Sequence, residues 1–441
     1  MTIFVYINQC INRHLFLGCV VLYGFNVAVL WPGVLQPDSL TALSLAQAGT
    51  FTGHVPVAYI KLWSLLWPQI MAQIPMFLIQ VGLLWVGIYY LVGSLRQPIT
   101  RIFALLLPFY PVYLHVNAII LREPHYIYAI FTAIALMIHA HVHDRRLHRG
   151  RLAAVLFLFF YAAAMKYQVR FIIPLLIGGA LMQSTLLKSR LLIMATSLVV
   201  GVAAGMGFSY LDSQGVARIQ PTHSWQWVKI YDLAAISYYA NIRAVPEFLN
   251  SRPGVVLQDI KDAYTDQWET LVTFPQAPLR GTRSEAERVE LQDRWCKALI
   301  AHPFAYMQHR LYGVYRMFVG SNVAADDPRP WIEKPFNDQV KALAPRVFSY
   351  ITQAPFLLLY FFWGVRLRRA EKLASSLVFI SMIVMGYIVT IMFNTLAFVP
   401  RYVYICNVLT FMCHPVALEI YLQRTRGKLL TEDGKYLTAD L

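Results

Sequence analysis

Asp38 stands just beyond the first apolar stretch of this chain, and a His-Val-Pro step at 54–56 precedes the return to apolar sequence near Lys61. A carboxylate at such a boundary can act as a general base, because it accepts protons and is partly removed from water. The alternative is a helix cap, in which the carboxylate binds unpaired backbone amides. We predict that residues 32–69 form a catalytic loop, with Asp38 as the base and His54 and Lys61 as substrate-binding residues.

Glu123, which lies between Arg122 and Pro124, is the second candidate carboxylate. As a first-turn acid it would be stabilised by the helix dipole and by its arginine neighbour. As a functional group it would face Asp38, and the two carboxylates could share contacts with a substrate or hold a divalent metal. We predict a catalytic role for Glu123 and a substrate-binding role for Arg122. The chain has no Asp-x-Asp element and no Cys/His spacing typical of zinc sites, so no metal ligand is assigned.

Three cations fall close to predicted membrane boundaries. Lys166 and Arg170 are four residues apart, which places them on one face if the segment is helical, and Arg401 stands shortly before the last apolar stretch. The alternative role for all three is to anchor helix ends at lipid headgroups. Charges near membrane depth are costly and need a partner, however, and a planar guanidinium suits a phosphate. We predict that Lys166, Arg170 and Arg401 converge on one lipid phosphate, on the same side of a cavity as Asp38 and Glu123.

Aromatic and charged residues in the second half of the chain could bind sugar rings. The candidates are Trp225, Asp232, His302 and Arg310, because aromatic faces stack on sugars and carboxylates accept hydrogen bonds from their hydroxyl groups. Core packing is the alternative for these residues, and His302, which precedes a proline, also fits a helix start.

The candidates must be positioned by a membrane protein. Hydrophobic residues make up 58% of the 441 residues and charged residues only 14%, whereas soluble domains have about 25% charged residues. A helix needs about 17–25 apolar residues to cross the hydrocarbon layer. We predict an all-α polytopic membrane protein with about ten transmembrane helices and a mainly helical extracytoplasmic domain. The predicted spans are 15–31, 70–95, 102–121, 126–141, 152–164, 171–187, 191–211, 349–365, 373–393 and 402–422. The first is expected to be a retained anchor, since no small-residue cleavage site follows it.

The net charge of +15 reflects topology and does not indicate a nucleic-acid partner. Cytoplasmic connections carry an excess of Lys and Arg. With the N-terminus inside, the inward positions hold Arg13, Arg96, Arg101, Arg145, Arg146, Arg149, Arg151, Lys188, Arg190, Arg366, Arg368, Arg369, Lys372, Arg424, Arg426, Lys428 and Lys435. The short outward connections hold only Lys61, Arg122, Lys166, Arg170 and Arg401. We therefore predict a multi-pass protein of the plasma (inner) membrane, with both termini in the cytoplasm and the active site outside.

The span pattern divides the chain into four regions. Residues 1–211 form a transmembrane module, 212–348 an extracytoplasmic domain, 349–423 the last transmembrane helices and 424–441 a cytoplasmic tail. Proline, charged residues and tryptophan return in the second region, which has no apolar run of membrane length. Within that region, polar and apolar residues alternate with helical period over 284–301, and 304–318 is predicted to form another helix.

The layout resembles the GT-C superfamily of integral membrane glycosyltransferases, which use sugars linked to polyprenyl phosphate. The resemblance rests on Pro37-Asp38-Ser39 with Gly53-His54-Val55-Pro56, on Tyr231-Asp232-Leu233-Ala234-Ala235-Ile236-Ser237, and on His302-Pro303-x-x-Tyr306-x-x-x-Arg310. It covers most of the chain in layout, through short motifs. The first loop departs from the protein mannosyltransferases of the family, which have paired acidic residues there, and Glu123 stands where aspartate is frequent.

This resemblance implies an inverting transfer of a sugar from a polyprenyl-phosphate donor to an extracytoplasmic acceptor, which would be a cell-surface glycan, a lipid or a protein. Two other functions remain open. One is transport or flipping of lipid-linked saccharides, although transporters tend to have internal repeats with polar breaks at mid-membrane. The other is an O-antigen ligase or polymerase that uses diphosphate-linked donors. The bilayer is a partner in all three cases.

Overall fold

The structure is a computed structural model that describes residues 2–429 apart from 52–54, 67–72, 144, 145, 185, 188, 217–224, 266, 267, 320–349, 369, 370, 396, 397 and 399. The described residues form helices and connecting segments, with only isolated β-bridges. The helices are α1 (Thr2–Leu30), α2 (Pro37–Ala48), α3 (Val57–Leu65), α4 (Gln73–Ser94), α5 (Pro98–Leu106), α6 (Pro111–Ala118), α7 (Arg122–Val142), α8 (Arg149–Met165), α9 (Val169–Met182), α10 (Arg190–Val216), α11 (Trp225–Ala240), α12 (Leu257–Ala263), α13 (Glu269–Val272), α14 (Glu285–Ala301), α15 (Pro303–Val319), α16 (Ala354–Leu367), α17 (Lys372–Asn394) and α18 (Tyr404–Leu429).

Six helices among the described residues are long and apolar enough to cross a membrane. They are α1, α4, α7, α10, α17 and α18, and each coincides with a predicted span. An α-helical polytopic membrane protein is therefore confirmed at this coarser level.

The predicted single span at 102–121 is wrong. Pro108 and Pro111 divide this segment into α5, a 3₁₀ turn at Leu107–Phe109 and α6, because proline has no N–H for the helical ladder and its ring crowds the preceding turn. The predicted spans at 152–164, 171–187 and 349–365 correspond to α8, α9 and α16, which have 17, 14 and 14 residues. At about 1.5 Å per residue, these helices are shorter than about 30 Å of hydrocarbon.

Helix α7 is the centre of the bundle. Nearly all of its side chains are buried, and it packs against α4, α8, α17 and α18. In contrast, α1 and α10 are mostly exposed, and they pack chiefly against α4 and α9. This arrangement leaves the apolar outer surfaces of α1 and α10 for lipid. The first turn of α7, in contrast, has polar side chains that are buried inside the bundle.

Helices α11–α15 occupy the region predicted as an extracytoplasmic domain. The helices expected at 284–301 and 304–318 are present as α14 and α15. Helix α14 begins where Ser284 caps it, since the Ser284 hydroxyl accepts the Glu287 N–H at 3.1 Å. Two helices run past the predicted region boundaries, because α10 continues to Val216 and α18 to Leu429.

Candidate functional site

Backbone hydrogen bonds join the segment after α1 to the segment before α7. The Val34 N–H donates to the Ala118 carbonyl at 2.7 Å, and the Ile120 N–H donates to the Val34 carbonyl at 3.0 Å. The Ser39 hydroxyl in α2 donates to the Ile120 carbonyl at 2.5 Å. Gly33 is needed at this crossing because its φ is +84° and a Cβ would lie 2.8 Å from Ile120 Cδ1. These contacts hold the start of α2 beside the start of α7.

Asp38 lies in the first turn of α2 and pairs with Arg401, with 2.8 Å between the carboxylate and the guanidinium. The local cap of α2 comes from Ser39, whose hydroxyl accepts the Gln36 N–H at 3.1 Å. Asp38 therefore faces a cation from the far end of the chain instead of serving as the cap. The Asp38 side chain is 44% exposed, so a substrate hydroxyl can reach it.

Glu123 sits in the first turn of α7 and is almost fully buried. Its carboxylate lies 2.6 Å from the ammonium group of Lys166, which is also buried, at the break between α8 and α9. The Arg122 guanidinium lies 3.9 Å from the same carboxylate oxygen. A buried carboxylate needs a compensating charge, and the Lys166 ammonium group supplies it. The contact with Glu123 in turn fixes the position of that ammonium group and the direction of its other N–H bonds.

The ring of Tyr402 joins the two ion pairs. Lys166 Nζ lies 4.6 Å from its centroid and the Arg401 guanidinium carbon lies 5.8 Å from it. We call Asp38, Arg122, Glu123, Lys166, Arg401 and Tyr402 the ion cluster. It contains three cations and two carboxylates, so its formal charge is +1, and a buried Arg401 Nε has no hydrogen-bond partner. Such a cluster can bind an anion beside an accessible carboxylate.

Arg170 does not join Lys166 at this point. It pairs with Asp212 near the end of α10, at 2.6 Å between guanidinium and carboxylate. The other carboxylate oxygen of Asp212 accepts the Val57 N–H at 2.9 Å, at the start of α3. Arg170 also donates to the Ala163 carbonyl at 3.1 Å and stacks on the ring of Tyr167. This second pair therefore anchors helix α3 to helices α9 and α10.

Asp212, Tyr59 and His125 are not among the residues predicted from the sequence. The Tyr59 and His125 rings are 5.7 Å apart, and His125 Nδ1 lies 2.7 Å from the Tyr161 hydroxyl. The Tyr59 hydroxyl and His125 Nε2 are buried without a hydrogen-bond partner, and burial, helped by the charge of Glu123, raises the pKa of the Tyr59 hydroxyl well above its ordinary value of 10. Asp212 directly follows the span predicted at 191–211. An acidic residue at that boundary is the feature of the sequence that could have indicated a partner for Arg170.

Four other residues were predicted to bind substrate. Three of them lie apart from the ion cluster, and the fourth is not among the described residues. His54 falls outside the described residues. The Lys61 ammonium group is over the ring of Phe51 at 5.4 Å, on an exposed face of α3. Trp225 is half exposed at the first turn of α11, and His302 lies at the junction of α14 and α15.

Asp232 and Arg310 bind each other and are fully buried. The two charged groups are 2.6 Å apart, and the Trp295 indole N–H donates to the second carboxylate oxygen of Asp232 at 2.9 Å. Arg310 also donates to the Thr395 carbonyl, just after α17, at 2.9 Å. The pair therefore ties α11 and α15 to the end of a membrane span. With both side chains inaccessible, this contact favours a structural role over the predicted role in sugar binding.

His309 completes this buried pair. Its Nε2 lies 3.3 Å from Asp232, and its Nδ1 lies 2.7 Å from the Tyr264 hydroxyl. Burial lowers the pKa of His309 below its ordinary value of 6.5 and outweighs the attraction of Asp232. For Asp232, burial opposes ionisation, but the Arg310 charge lowers the pKa of the carboxyl below its ordinary value of 3.8. At neutral pH the ring is therefore neutral beside an ionised carboxylate.

We expect acidification below about pH 6.5 to destabilise the protein through His309. The unfolded chain binds a proton near pH 6.5 whereas the buried ring does not, so the unfolded state gains stability as the pH falls. The contribution of this one residue approaches about 1.4 kcal/mol per pH unit below its unfolded pKa. Thermal unfolding of purified protein between about pH 5 and 8 measures it. The His309→Gln variant should have a weaker pH dependence, and His302→Gln, the matched control, should keep that of the wild type. Equal pH dependence in all three proteins would contradict this account.

Among the described residues, no group of three or more His, Cys, Asp or Glu side chains is placed to hold a metal ion. The predicted option of a divalent metal between Asp38 and Glu123 thus has no third ligand of these types in that part of the chain. Comparison with protein-family models, with curated proteins and with solved structures finds no match for this chain.

Proposed function

We propose that this chain is an integral membrane glycosyltransferase that moves a sugar from a polyprenyl-phosphate donor to an extracytoplasmic acceptor. One observation carries the proposal. An accessible carboxylate, Asp38, lies 2.8 Å from Arg401, and Arg401 shares the ring of Tyr402 with buried Lys166. A possible base and two cations therefore meet at one end of a bundle of apolar helices, where a lipid-linked phosphate would be presented.

In the proposed reaction, the acceptor hydroxyl attacks the anomeric carbon of the donor sugar. The bond from that carbon to the phosphate oxygen breaks as the new glycosidic bond forms, so the configuration inverts. Asp38 takes the hydroxyl proton. The polyprenyl phosphate leaves with the electron pair and gains one negative charge, which Arg401 and Lys166 stabilise. Glu123 is a positioning residue in this scheme, because it holds the Lys166 ammonium group.

The proposal places both termini in the cytoplasm and the ion cluster on the outer side of the plasma (inner) membrane. The distribution of Lys and Arg supports this orientation. The donor then reaches the cluster from the outer leaflet, and the acceptor reaches Asp38 from the aqueous side. The acceptor classes that fit are a surface glycan, a lipid or a protein.

Purified protein in liposomes tests the reaction class. The donor is a radiolabelled sugar on polyprenyl monophosphate, offered with an extract of cell-surface glycans, lipids and proteins as acceptors. The proposal predicts release of polyprenyl phosphate together with label in the acceptor fraction. Label that crosses the bilayer with its bond to phosphate intact would identify a transporter instead. A parallel reaction offers the same sugar on polyprenyl diphosphate. Transfer from this diphosphate-linked donor alone would identify a ligase or polymerase.

Replacing Arg401 tests its contact with the leaving phosphate. Arg401→Gln should lower turnover by about a hundredfold, the typical effect of removing one preorganised electrostatic contact. Arg401→Lys should retain part of the activity, because it keeps the charge but not the planar fork. Arg288→Gln, which removes a guanidinium that pairs with exposed Glu285, is the control and should turn over normally. Wild-type turnover in Arg401→Gln would remove Arg401 from the mechanism.

A further inference from the structure

The connection between α17 and α18, residues 395–403, carries two members of the ion cluster. Arg401 and Tyr402 lie in a 3₁₀ turn at Pro400–Val403, directly before α18. The Arg401 guanidinium is 2.8 Å from the Asp38 carboxylate, but the pair is partly exposed, and such pairs contribute little to stability. The ion pair alone therefore does not fix where this connection presents Arg401.

Phe398 attaches the middle of this connection to helices α11 and α15. Its ring is buried, 5.0 Å from the ring of His309 on α15 and 5.5 Å from that of Tyr231 on α11. Burial of an aromatic ring contributes more to stability than a partly exposed ion pair does. Helix α15 also packs against the 3₁₀ turn itself. The connection is therefore held by α11 and α15, three residues before Arg401.

Gly313 on α15 provides the space for this ring. A Cβ at position 313 would lie 2.0 Å from Phe398 Cε1, which is too close for two carbon atoms that are not bonded. Glycine is unfavourable inside a helix, and Gly313 lies well within α15. The close approach of the Phe398 ring is a physical reason for a glycine here. A larger residue at 313 would push the ring, and with it the connection, away from α15.

We propose that Phe398, held against Gly313, is a positioning residue for Arg401. Its effect on turnover rests on the proposed function, in which Arg401 stabilises the leaving phosphate. A fixed cation stabilises developing charge best when it is already aimed at that charge. A displacement of about 1 Å can lower turnover by about a hundredfold. Helices α11 and α15 thus set the position of a cation that belongs to neither of them.

A fluorine label at position 402 tests the positioning without any reaction. Tyr402 is replaced by 3-fluorotyrosine in the full-length protein, and its fluorine NMR resonance is recorded. Gly313→Ala and Phe398→Leu should each shift this resonance, because the first pushes the ring away and the second leaves a void. The double variant, which nearly conserves the total volume, should return the resonance towards its wild-type position.

Gly82→Ala is the matched control for the label. Gly82 also lies inside a helix, α4, but a Cβ there meets no other described side chain within 4 Å, so the resonance should not shift. An unshifted resonance in Phe398→Leu would overturn the proposal, and this variant decides the question even where Gly313→Ala does not fold. A normal elution profile checks the fold of each variant.

A double-mutant cycle tests whether Phe398 acts through Arg401. With sugar on polyprenyl monophosphate, Gly313→Ala should lower turnover by about tenfold to a hundredfold. In the Arg401→Gln background the same substitution should have no further effect, since the residue that it misplaces is already gone. Losses that multiply would show damage elsewhere and would overturn the proposal. A wild-type protein that transfers no sugar would refute the proposed function, whereas the fluorine resonance would still decide the positioning.

Discussion

The Asp38→Asn protein is expected to insert and fold like the wild type but to lose turnover by about 10²–10⁴-fold, the usual contribution of a general base. The amide keeps the size of the side chain but cannot take the acceptor proton. Among the described residues Asp38 forms its ion pair with Arg401, and the pair is partly exposed, so its removal changes stability little. Initial rates with saturating donor, measured on protein of normal elution profile, check the effect.

Asp293→Asn provides the matched control for this variant. Asp293 is also a partly exposed carboxylate in an ion pair, with Lys297 at 2.6 Å, but it lies on α14, away from the ion cluster. It should show wild-type turnover. Full activity in Asp38→Asn, with both variants folded, would leave Asp38 as a partner of Arg401 only and would remove the base from the mechanism.

The buried pair of Glu123 and Lys166 should respond to substitution in two separable ways. Lys166→Met and Glu123→Gln each leave one charge buried without its partner, so each should destabilise the protein by about 3–5 kcal/mol. Lys166→Met should also lower turnover by about a hundredfold, because the developing phosphate charge loses a fixed cation. In the double variant both members of the buried pair are gone, and only Arg122, which is partly exposed and lies 3.9 Å from Glu123, loses a carboxylate neighbour, so stability should recover in part while turnover stays low. Thermal unfolding and initial rates are measured on the same preparations.

The Asp232 and Arg310 pair is the control for this cycle. It is equally buried and its charges are equally close, but it is placed in a structural role. Asp232→Asn and Arg310→Met should destabilise the protein singly, and their combination should restore stability and activity together. Recovery of activity in the Glu123→Gln and Lys166→Met double variant would give that pair the same structural role and would contradict the phosphate-binding proposal.

The long spans could be predicted from the sequence because hydropathy over about 20 residues measures what the bilayer requires. The segment at 102–121 was predicted wrongly because its composition is apolar throughout, whereas Pro108 and Pro111 decide its local structure. For α9 and α16, the hydropathy of the sequence indicates an apolar environment but does not determine the length of the helix. Burial inside a bundle and exposure to lipid favour the same residue types.

The candidate site was predicted as a set of residue types near membrane boundaries. Lys166 and Arg401 lie beside Glu123 and Asp38 because backbone bonds such as that between Val34 and Ile120 bring distant segments together. Those bonds leave no periodic signal in the sequence.

The sequence predicts sugar binding for Asp232 and Arg310 because charged residues among aromatic residues are found both in sugar-binding sites and in buried ion pairs. Only the three-dimensional contacts distinguish these cases. In the sequence Asp212 marks only the start of the predicted domain, and its contact with Arg170 depends on how α9 packs against α10.

A structure of the protein with polyprenyl phosphate bound tests the central proposal most directly. We expect the phosphate oxygens within hydrogen-bond distance of the Arg401 guanidinium and the Lys166 ammonium group, with the Asp38 carboxylate facing the side on which the sugar would lie. A phosphate bound at another face of the bundle, with Lys166 still held by Glu123 alone and Arg401 by Asp38 alone, would contradict it.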